Sequence, residues 1–472
     1  MATTIGQITA VNPATEDVIA SFDAFGPEEV EMALAEAHDA FLEWRERPID
    51  ERAVPMRALA AILRERSDRY ARLATLEMGK PIVEAKAEIE KCAFGAEHFA
   101  QNAARYLADE EIRANARRSI VAFQPLGVVL AVMPWNFPFW QVVRFAAPAL
   151  MAGNAALLKH ASNVPQCALA IEEAFRDAGF PPGLLRTVLV SGAAIEPIIA
   201  DDRIRAVTLT GSSDTGARIA ELAGRALKKT VLELGGSDPF IVLADADIAA
   251  AAATAVRARN QNNGQSCIAA KRFIVVDSIA ADFERRFAKG VEDLVVGDPI
   301  EPKTQIGPLA RRDLLDTLER QVDASVRGGA RVLTGGERVS GKGYFFRPTV
   351  LANVTADMPA FREETFGPVA AVVRVRDADE AVRVANDSAY GLGASIWTRD
   401  ASVGERLARR IESGSVFVNG MVASDPRLPF GGIKRSGYGR ELSAYGAREF
   451  TNVQTIWIGP AEAQQPTSQP SE

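Results

Sequence analysis

The segment "AVTLTGSSDTGARIAELAGRALKKTVLELGG", residues 206 to 236, decides the fold class. An apolar run ends at Gly211, a helical pattern follows, and a second apolar run ends at Gly235. Strand, glycine turn, helix and strand in that order make the unit of a parallel sheet. Two parallel neighbours need a crossover long enough to hold a helix. Upstream, "GVVLAVMP", "NAALLKHA" and "RTVLVSG" are further short apolar runs bounded by Gly or Pro, and "QCALAIEEAFRDAG" reads as a helix among them. Downstream, "KRFIVVD", "VAAVVRV", "GASIWT" and "GSVFVNG" are the strands of a second series. "ADFERRFAKGVEDL" and "RRDLLDTLERQVDASVRGG" are its helices. The pattern predicts an α/β protein with two such units. Ahead of them, Val30, Ala33, Leu34, Ala37, Phe41 and Trp44 recur at helical spacing, and residues 50 to 106 read as further amphipathic helix. "REFTNVQTIWIG" reads as a strand with no local partner, which points to pairing with another chain. The tail "AEAQQPTSQPSE" is polar and reads as disordered.

The chain has 472 residues, more than one small core accommodates, so two or more domains are expected. Hydrophobic residues make up 47% and charged residues 24%, the balance of a soluble globular protein. The formal charge of -7 argues against sequence-independent nucleic-acid binding, which needs a basic surface. No run reaches the roughly 18 apolar residues of a membrane helix. The first residues lack a basic segment followed by an apolar one, so a cytoplasmic protein is expected. The 3 cysteines, Cys92, Cys167 and Cys267, lie far apart and suggest neither a disulfide framework nor a zinc site. With only 3 histidines, His38, His98 and His160, no metal centre or Ser-His-Asp triad is expected.

Four stretches carry candidate chemistry. In "QNNGQSCIAAKR" (261–272), Cys267 sits among small and amide-bearing neighbours, the surroundings of a thiol that stays reachable. With so few histidines, the proton acceptor for such a thiol is expected to be a carboxylate. In "VLELGGSDP", Glu233 lies inside an apolar run, where burial would raise its pKa and suit it to general-base work; pairing with a distant Arg is the alternative. In "MPWNFPFWQVVRFAAP", the Asn136 amide can donate to an oxyanion or can cap a helix. In "VTLTGSSDTGARIA", backbone N–H groups at a helix start can hold a phosphate, although the segment is neither G-x-G-x-x-G nor a Walker loop and can equally be a plain turn.

The ordered set "PWNFP", "TLTGS", "LELGG", "NGQSC", "EETFGPV" and "PFGGIKRSG" strongly resembles the aldehyde dehydrogenase superfamily, over about residues 5 to 458. The resemblance implies a Rossmann-like cofactor domain (1–110 and 127–234) and an α/β catalytic domain (235–446). It also implies a small β oligomerisation arm (111–126 and 447–458), ahead of the disordered tail (459–472). It implies Cys267 as nucleophile, Glu233 as general base and Asn136 as oxyanion donor. Lys159, with His160 beside it, matches the adenosine-ribose position, and Gly211 and Ser212 match the pyrophosphate turn. Trp135, Leu234, Glu364 and Phe366 match positions near the dinucleotide, Glu364 on the nicotinamide-side ribose. Three residues after the lysine, NAD-preferring relatives often carry a Glu; here Ser162 stands there. Like charges about 4 Å apart cost roughly 1 kcal/mol in water and about 4 at an effective dielectric of 20. Ser162 removes that repulsion from a 2′-phosphate, so NADP is the expected cofactor, with NAD as the alternative.

Within the superfamily, "LLKHASNVPQCA" and "PWNFPFWQVVRFAAPAL" resemble a bacterial group of NADP-dependent succinate semialdehyde dehydrogenases. The implied substrate is a short aldehyde bearing a carboxylate. Arg144, four residues from Trp140 and so on the same helix face, would grip that carboxylate as a fork, and Ser424 would add a hydrogen bond. Glutarate semialdehyde or broad small-aldehyde oxidation is the alternative within the family. A catalytically silent structural member is the alternative outside it, disfavoured because Cys267, Glu233 and Asn136 are all present. Some relatives carry a second cysteine two residues after the nucleophile; here Ala269 stands there, so no vicinal redox switch is expected. A homodimer or homotetramer is implied, with no metal, nucleic acid or membrane partner.

Overall fold

Parallel strands covered on both faces need unbroken apolar runs, and the chain supplies two sets of them. In the computed structural model, which describes residues 6–460, the first set forms a 6-stranded sheet. Its order is Gly437–Tyr438, Lys229–Glu233, Ile204–Thr210, Val128–Met133, Ala155–His160, Leu185–Thr187. The second is a 7-stranded sheet in the order Arg331–Thr334, Thr349–Ala352, Val369–Val375, Ala270–Val276, Asp238–Val242, Gly393–Trp397, Ser415–Val418. Only one outer strand of each sheet, Gly437–Tyr438 and Arg331–Thr334, runs antiparallel to its neighbour. Alternation along the central strands divides the second core: Phe240 and Phe273 pack on one face, Ile241 and Ile274 on the other.

The first sheet has a switch point. From Val128–Met133 the chain adds Ala155–His160 and Leu185–Thr187 on one side, then returns to add Ile204–Thr210 and Lys229–Glu233 on the other. Met133 pairs with His160, Val132 with Leu209, and Thr210 with Glu233. The segments holding Asn136, Ser162, Gly211 and Leu234 therefore all leave the carboxyl edge of this sheet. Open α/β sheets bind ligands at that edge, beside the switch point.

Several expectations are refined. The helical stretch 50–106 is three helices, Ile49–Glu65, Ser67–Met78 and Ile82–Tyr106. Gly79 ends the second of these in the left-handed region at φ 78. "RTVLVSG" contributes only the short strand Leu185–Thr187. Asp238–Val242, a central strand, is not apparent in sequence because Asp and Pro open it. The terminal strand, expected to lack an in-chain partner, has one: Thr451–Pro460 pairs antiparallel with Ala116–Pro125, from Thr451 opposite Pro125 to Pro460 opposite Ala116. Glu110–Glu111 completes this 3-stranded sheet. The strand also runs past the expected tail boundary at 459; residues 461–472 lie outside the described residues. Residues 437–438, expected within the second unit, cross back to the first sheet, where Gly437 pairs with Glu233. Among the described residues no helix is long and apolar enough to cross a membrane.

Candidate active site

The segment 261–267 leads from the helix Ile248–Asn260 into the strand Ala270–Val276 of the second sheet, and its amide side chains are structural. Asn262 and Asn263 both take left-handed backbone, φ 56, which Asn tolerates better than most residues. Asn263 Nδ2 donates to the carbonyls of Gly79 (2.8 Å) and Pro308 (2.9 Å), and its Oδ1 accepts from Gly307 N–H (2.7 Å). Asn262 Nδ2 donates to the Asn136 carbonyl (2.7 Å), and Gln265 Oε1 accepts from Ala310 N–H (2.9 Å). Gly264 is required: a Cβ there would lie 2.4 Å from the Gly367 backbone. The small, polar neighbours of Cys267 thus pin its backbone, while Cys267 itself stays partly exposed. Cys92 and Cys167 are buried, and all three are free thiols.

The Asn136 side chain touches this loop, donating from Nδ2 to the Gln265 carbonyl at 3.0 Å. That bond fixes the amide orientation and leaves the second Nδ2 hydrogen uncommitted. Asn136 is not the cap of the following helix, Trp140–Met151. Glu88 caps it from the helix Ile82–Tyr106, its Oε1 accepting from Phe139 N–H and Trp140 N–H, both 2.9 Å, while its Oε2 contacts Lys80. The Asn136 amide is therefore free of helix capping.

Glu233 ends its strand with both carboxylate oxygens buried and without a hydrogen-bond partner. Gly431 must be glycine here, because a Cβ would come within 2.7 Å of Glu233 Oε1. Burial first, and then the charge of Glu441, push the Glu233 pKa well above the usual carboxylate range, against the pull of Arg144. Glu441 is raised mainly by burial and held down by Arg144, with which it forms an ion pair. The pair is close but not aligned as a hydrogen bond. Two carboxylates and one guanidinium share this pocket: burial raises both carboxylates, Glu441 raises Glu233 further, and Arg144 opposes the rise in each. Burial likewise pushes the Cys267 thiol up to about 12, opposed by Arg144 and Lys271.

At the edge of the first sheet, Ser212 caps the helix Ser213–Arg225 through its hydroxyl, which accepts from Thr215 N–H at 3.3 Å. Gly216 on that helix lets Leu234 approach, since a Cβ would sit 2.6 Å from it. Lys159 is partly buried, its pKa lowered by desolvation, with no hydrogen bond or ion pair among the described residues. Ser162 follows it, exposed. Across the cleft Glu364 Oε1 accepts from Gly236 N–H (3.0 Å) and lies 3.5 Å from Lys271, leaving Oε2 without a hydrogen bond among the described residues. Trp135 and Phe366 meet edge to face, centroids 5.7 Å apart. A helix N-terminus, an unpartnered ammonium and an open carboxylate oxygen along one edge are complementary to a phosphorylated dinucleotide.

The sequence matches the aldehyde dehydrogenase family over residues 1–456. The chain belongs to this family. A probable succinate-semialdehyde dehydrogenase, NADP(+), of Synechocystis is 53% identical over 451 residues, covering 96% of this chain and 99% of the relative. A succinate-semialdehyde dehydrogenase, NADP(+), of Mycobacterium tuberculosis is 51% identical over 454 residues, with 96% and 99% covered. The crystal structure of succinic semialdehyde dehydrogenase from Streptococcus pyogenes with NADP+ superposes at a TM-score of 0.94 with 38% identity, covering 96% of this chain and 100% of that one.

In this aldehyde dehydrogenase, two residues expected at the ligand sites are otherwise engaged. His160 offers a cofactor nothing. Its Nε2 lies 2.9 Å from the Pro138 carbonyl, and its Nδ1 accepts from Ala161 N–H at 2.8 Å. Desolvation lowers its pKa to about 4, so it is a neutral brace behind the Asn136 turn. Arg144 cannot act as a two-pronged fork. Its Nε faces Glu441, its Nη2 donates to Thr210 Oγ1 at 3.3 Å, and its Cζ lies 4.7 Å from the Phe430 ring centroid. Among the described residues only Nη2 makes a hydrogen bond; Nε is held in the ion pair and Nη1 has no partner.

Ser424 does face the helix carrying Trp140 and Arg144: its Oγ accepts from Trp140 Nε1 at 3.2 Å. Four charged residues near the candidate site are not singled out by the sequence: Glu441, Lys271, Glu88 and Lys91. Lys271 Nζ donates to the carbonyls of Ser266 and Cys267, both at 2.9 Å, and so anchors the Cys267 loop. A lysine opening the apolar run "KRFIVV" is costly without partners, and that was its available signal. Among the described residues no group of three or more His, Cys, Asp or Glu is placed to hold a metal.

Proposed function

We propose that this chain oxidises succinate semialdehyde to succinate with NADP+. The observation that carries the proposal is the junction of the Cys267 loop with the Asn136 amide at the carboxyl edge of the first sheet, where the buried, unpartnered Glu233 ends its strand. Full-length relatives named for this substrate and this cofactor support it. Lys159, Ser162, the Ser212-capped helix, Leu234, Glu364, Trp135 and Phe366 would hold the dinucleotide. The exposed Ser162 places no carboxylate against a 2′-phosphate. NADP+, when bound, supplies the hydride acceptor.

This chain's residues do the rest. Cys267 Sγ gives its proton to water and forms a bond to the aldehyde carbon, while the carbonyl electron pair moves onto oxygen. The spare Asn136 Nδ2–H and the Cys267 N–H stabilise that oxyanion, and Lys271 holds the loop carrying the latter. The oxidised acyl group rests on Cys267 as a thioester. Glu233, whose proton affinity burial raises, takes a proton from water through its ionised carboxylate. The water oxygen then bonds to the acyl carbon, the C–S bond breaks, and the thiolate leaves.

The 3-stranded sheet carries Val453 and Trp457 at 63% and 50% exposure, which supports its reading as an oligomerisation arm. Sedimentation of the intact protein and of Trp457→Asp tests this; an unchanged mass for the variant would count against it. Initial rates with succinate semialdehyde, compared between NADP+ and NAD+ and against butanal, test the function. Efficient turnover favouring NADP+ and the charged aldehyde is expected. Equal efficiency with butanal would overturn the substrate assignment.

A further inference from the structure

We infer that Lys91 is the cationic anchor for the substrate's distal carboxylate, acting with the Ser424 hydroxyl. This inference rests on the succinate semialdehyde reading and names a residue that determines specificity within it. Lys91 lines a cavity of about 480 Å³ together with Phe137, next to Asn136, with Gln261, at the start of the Cys267 loop, and with Met421. Its Nζ donates to Ser424 Oγ at 2.7 Å and lies 4.7 Å from the Trp140 ring centroid.

The hydrogen-bond count at Ser424 makes the argument. A hydroxyl offers two acceptor positions and one donor hydrogen. The Lys91 ammonium and the Trp140 indole N–H occupy both acceptor positions. The Ser424 O–H must therefore point elsewhere, and it has no acceptor among the described residues. Lys91 also has two further N–H groups with no hydrogen-bond acceptor among those residues. Spare donors from both side chains converge beside the cavity, and donors without acceptors select an anion.

The neighbouring carboxylates do not supply it. Glu84, on the same cavity wall, accepts from Asn262 N–H at 2.6 Å and forms no ion pair with Lys91 among the described residues; Glu88 is committed to Lys80 and to the N–H groups of Phe139 and Trp140, and Asp425 to Arg427. Lys91 forms no ion pair among the described residues, and Arg144, whose charge faces it, is committed to Glu441. The arrangement is a partly desolvated cation awaiting a negative partner.

The charged and titratable groups near Lys91 are Glu84, Glu88 and Cys92 on its own helix, Arg257 on the cavity wall, and Arg144 and Asp425, whose charges reach it. Burial, reinforced by Arg144, lowers the Lys91 pKa to about 8. The cation is thus present below that pH and lost above it. In the intact enzyme, KM for succinate semialdehyde should rise as pH increases through about 8 to 9, while KM for butanal stays level.

Lys91→Met should raise KM for succinate semialdehyde by roughly ten- to a hundred-fold, the range of one charge-assisted hydrogen bond, with kcat nearly unchanged and butanal unaffected. Lys91→Arg should restore the low KM and remove its alkaline rise, because Arg keeps its charge. If wild type prefers succinate semialdehyde but Lys91→Met shifts both substrates equally or neither, the Lys91 assignment is wrong while the function stands. If wild type shows no preference for the charged aldehyde, the substrate reading fails first and takes this inference with it.

Discussion

Replacing Arg144 with Met should destabilise the protein by an amount that depends on pH. Arg144 and Glu441 are almost fully buried, at 2% and 3% side-chain exposure. Without the guanidinium, Glu441 is left facing the carboxylates of Glu233 and Glu449, so it must stay ionised without a partner or take up a proton. Protonation sets the ceiling on the cost, because it is the cheaper choice. For an unfolded-state glutamate pKa of about 4.3, holding a proton at pH 7.5 costs about 4 kcal/mol, at about 1.4 per pH unit. That agrees with the roughly 3–5 kcal/mol measured when one partner of a buried pair is removed. The sign follows from linkage. In the variant the folded pKa of Glu441 lies far above the unfolded value, so the folded state binds the extra proton and the penalty grows as pH rises. In the intact protein Glu441 is already raised by burial, so the difference between the two widens by up to about 1.4 kcal/mol per unit above that folded pKa. Urea unfolding followed by tryptophan fluorescence at pH 5.5, 6.5 and 7.5 measures it. Arg144→Met combined with Glu441→Gln should abolish the pH-dependent part. A loss of stability that is the same at all three pH values would refute the buried pair as described.

Asn136→Ala should lower kcat by roughly 10²–10³, the usual loss of one oxyanion donor, with KM little changed; a loss confined to KM would contradict the donor role. Ser162→Glu should shift the NADP+/NAD+ ratio of kcat/KM toward NAD+, by about fivefold if the repulsion is solvent-screened and by several hundredfold if it is not. A ratio unchanged within twofold would remove Ser162 from the explanation. Alkylation of Cys267 by iodoacetamide in the cofactor-free enzyme should accelerate about tenfold per pH unit from 7 to 9, because its pKa is about 12 and the thiolate is the reactive form. Cys92 and Cys167, buried and with raised pKa values, should stay unmodified. A rate plateau below pH 9 would show that the thiol is already ionised.

Local periodicity was enough to reveal the alternation of strands and helices, because each crossover unit is written in consecutive residues. Pairings that join distant segments were not legible. The terminal strand reads as orphaned since its partner, Ala116–Pro125, lies across the whole cofactor and catalytic sequence. Asp238–Val242 was hidden by its Pro, which the sheet tolerates at a register shift between Asp238 and Pro239. Glu441 and Lys91 were missed for one reason. Each looks like a surface charge in its own window, and only the fold sets it against Arg144 or Ser424. The amides before Cys267 were noticed but misread: they suggested room for ligands, and they instead hold backbone carbonyls and N–H groups in place.

Spare hydrogen-bonding capacity separates residues that can serve a ligand from those that merely lie near one. His160 and Lys159 are adjacent at the end of one strand, and a resemblance to relatives treats them alike. His160 has both ring nitrogens bound to backbone, whereas Lys159 has none of its donors committed. Arg144 and Lys91 are both cations close enough for each to feel the other's charge. Arg144 is largely spent on Glu441 and Thr210, and Lys91 is spent only on a hydroxyl that is itself left with a donor to give. The same count explains Asn136, whose amide anchors to Gln265 with one hydrogen and keeps the other. Groups with every valence satisfied make the site rigid. Under the proposed function, the spare donors of Lys159, Asn136, Ser424 and Lys91 suit an anionic aldehyde, its oxyanion and a phosphorylated cofactor, while Glu233 and Glu364 Oε2 keep open acceptor oxygens.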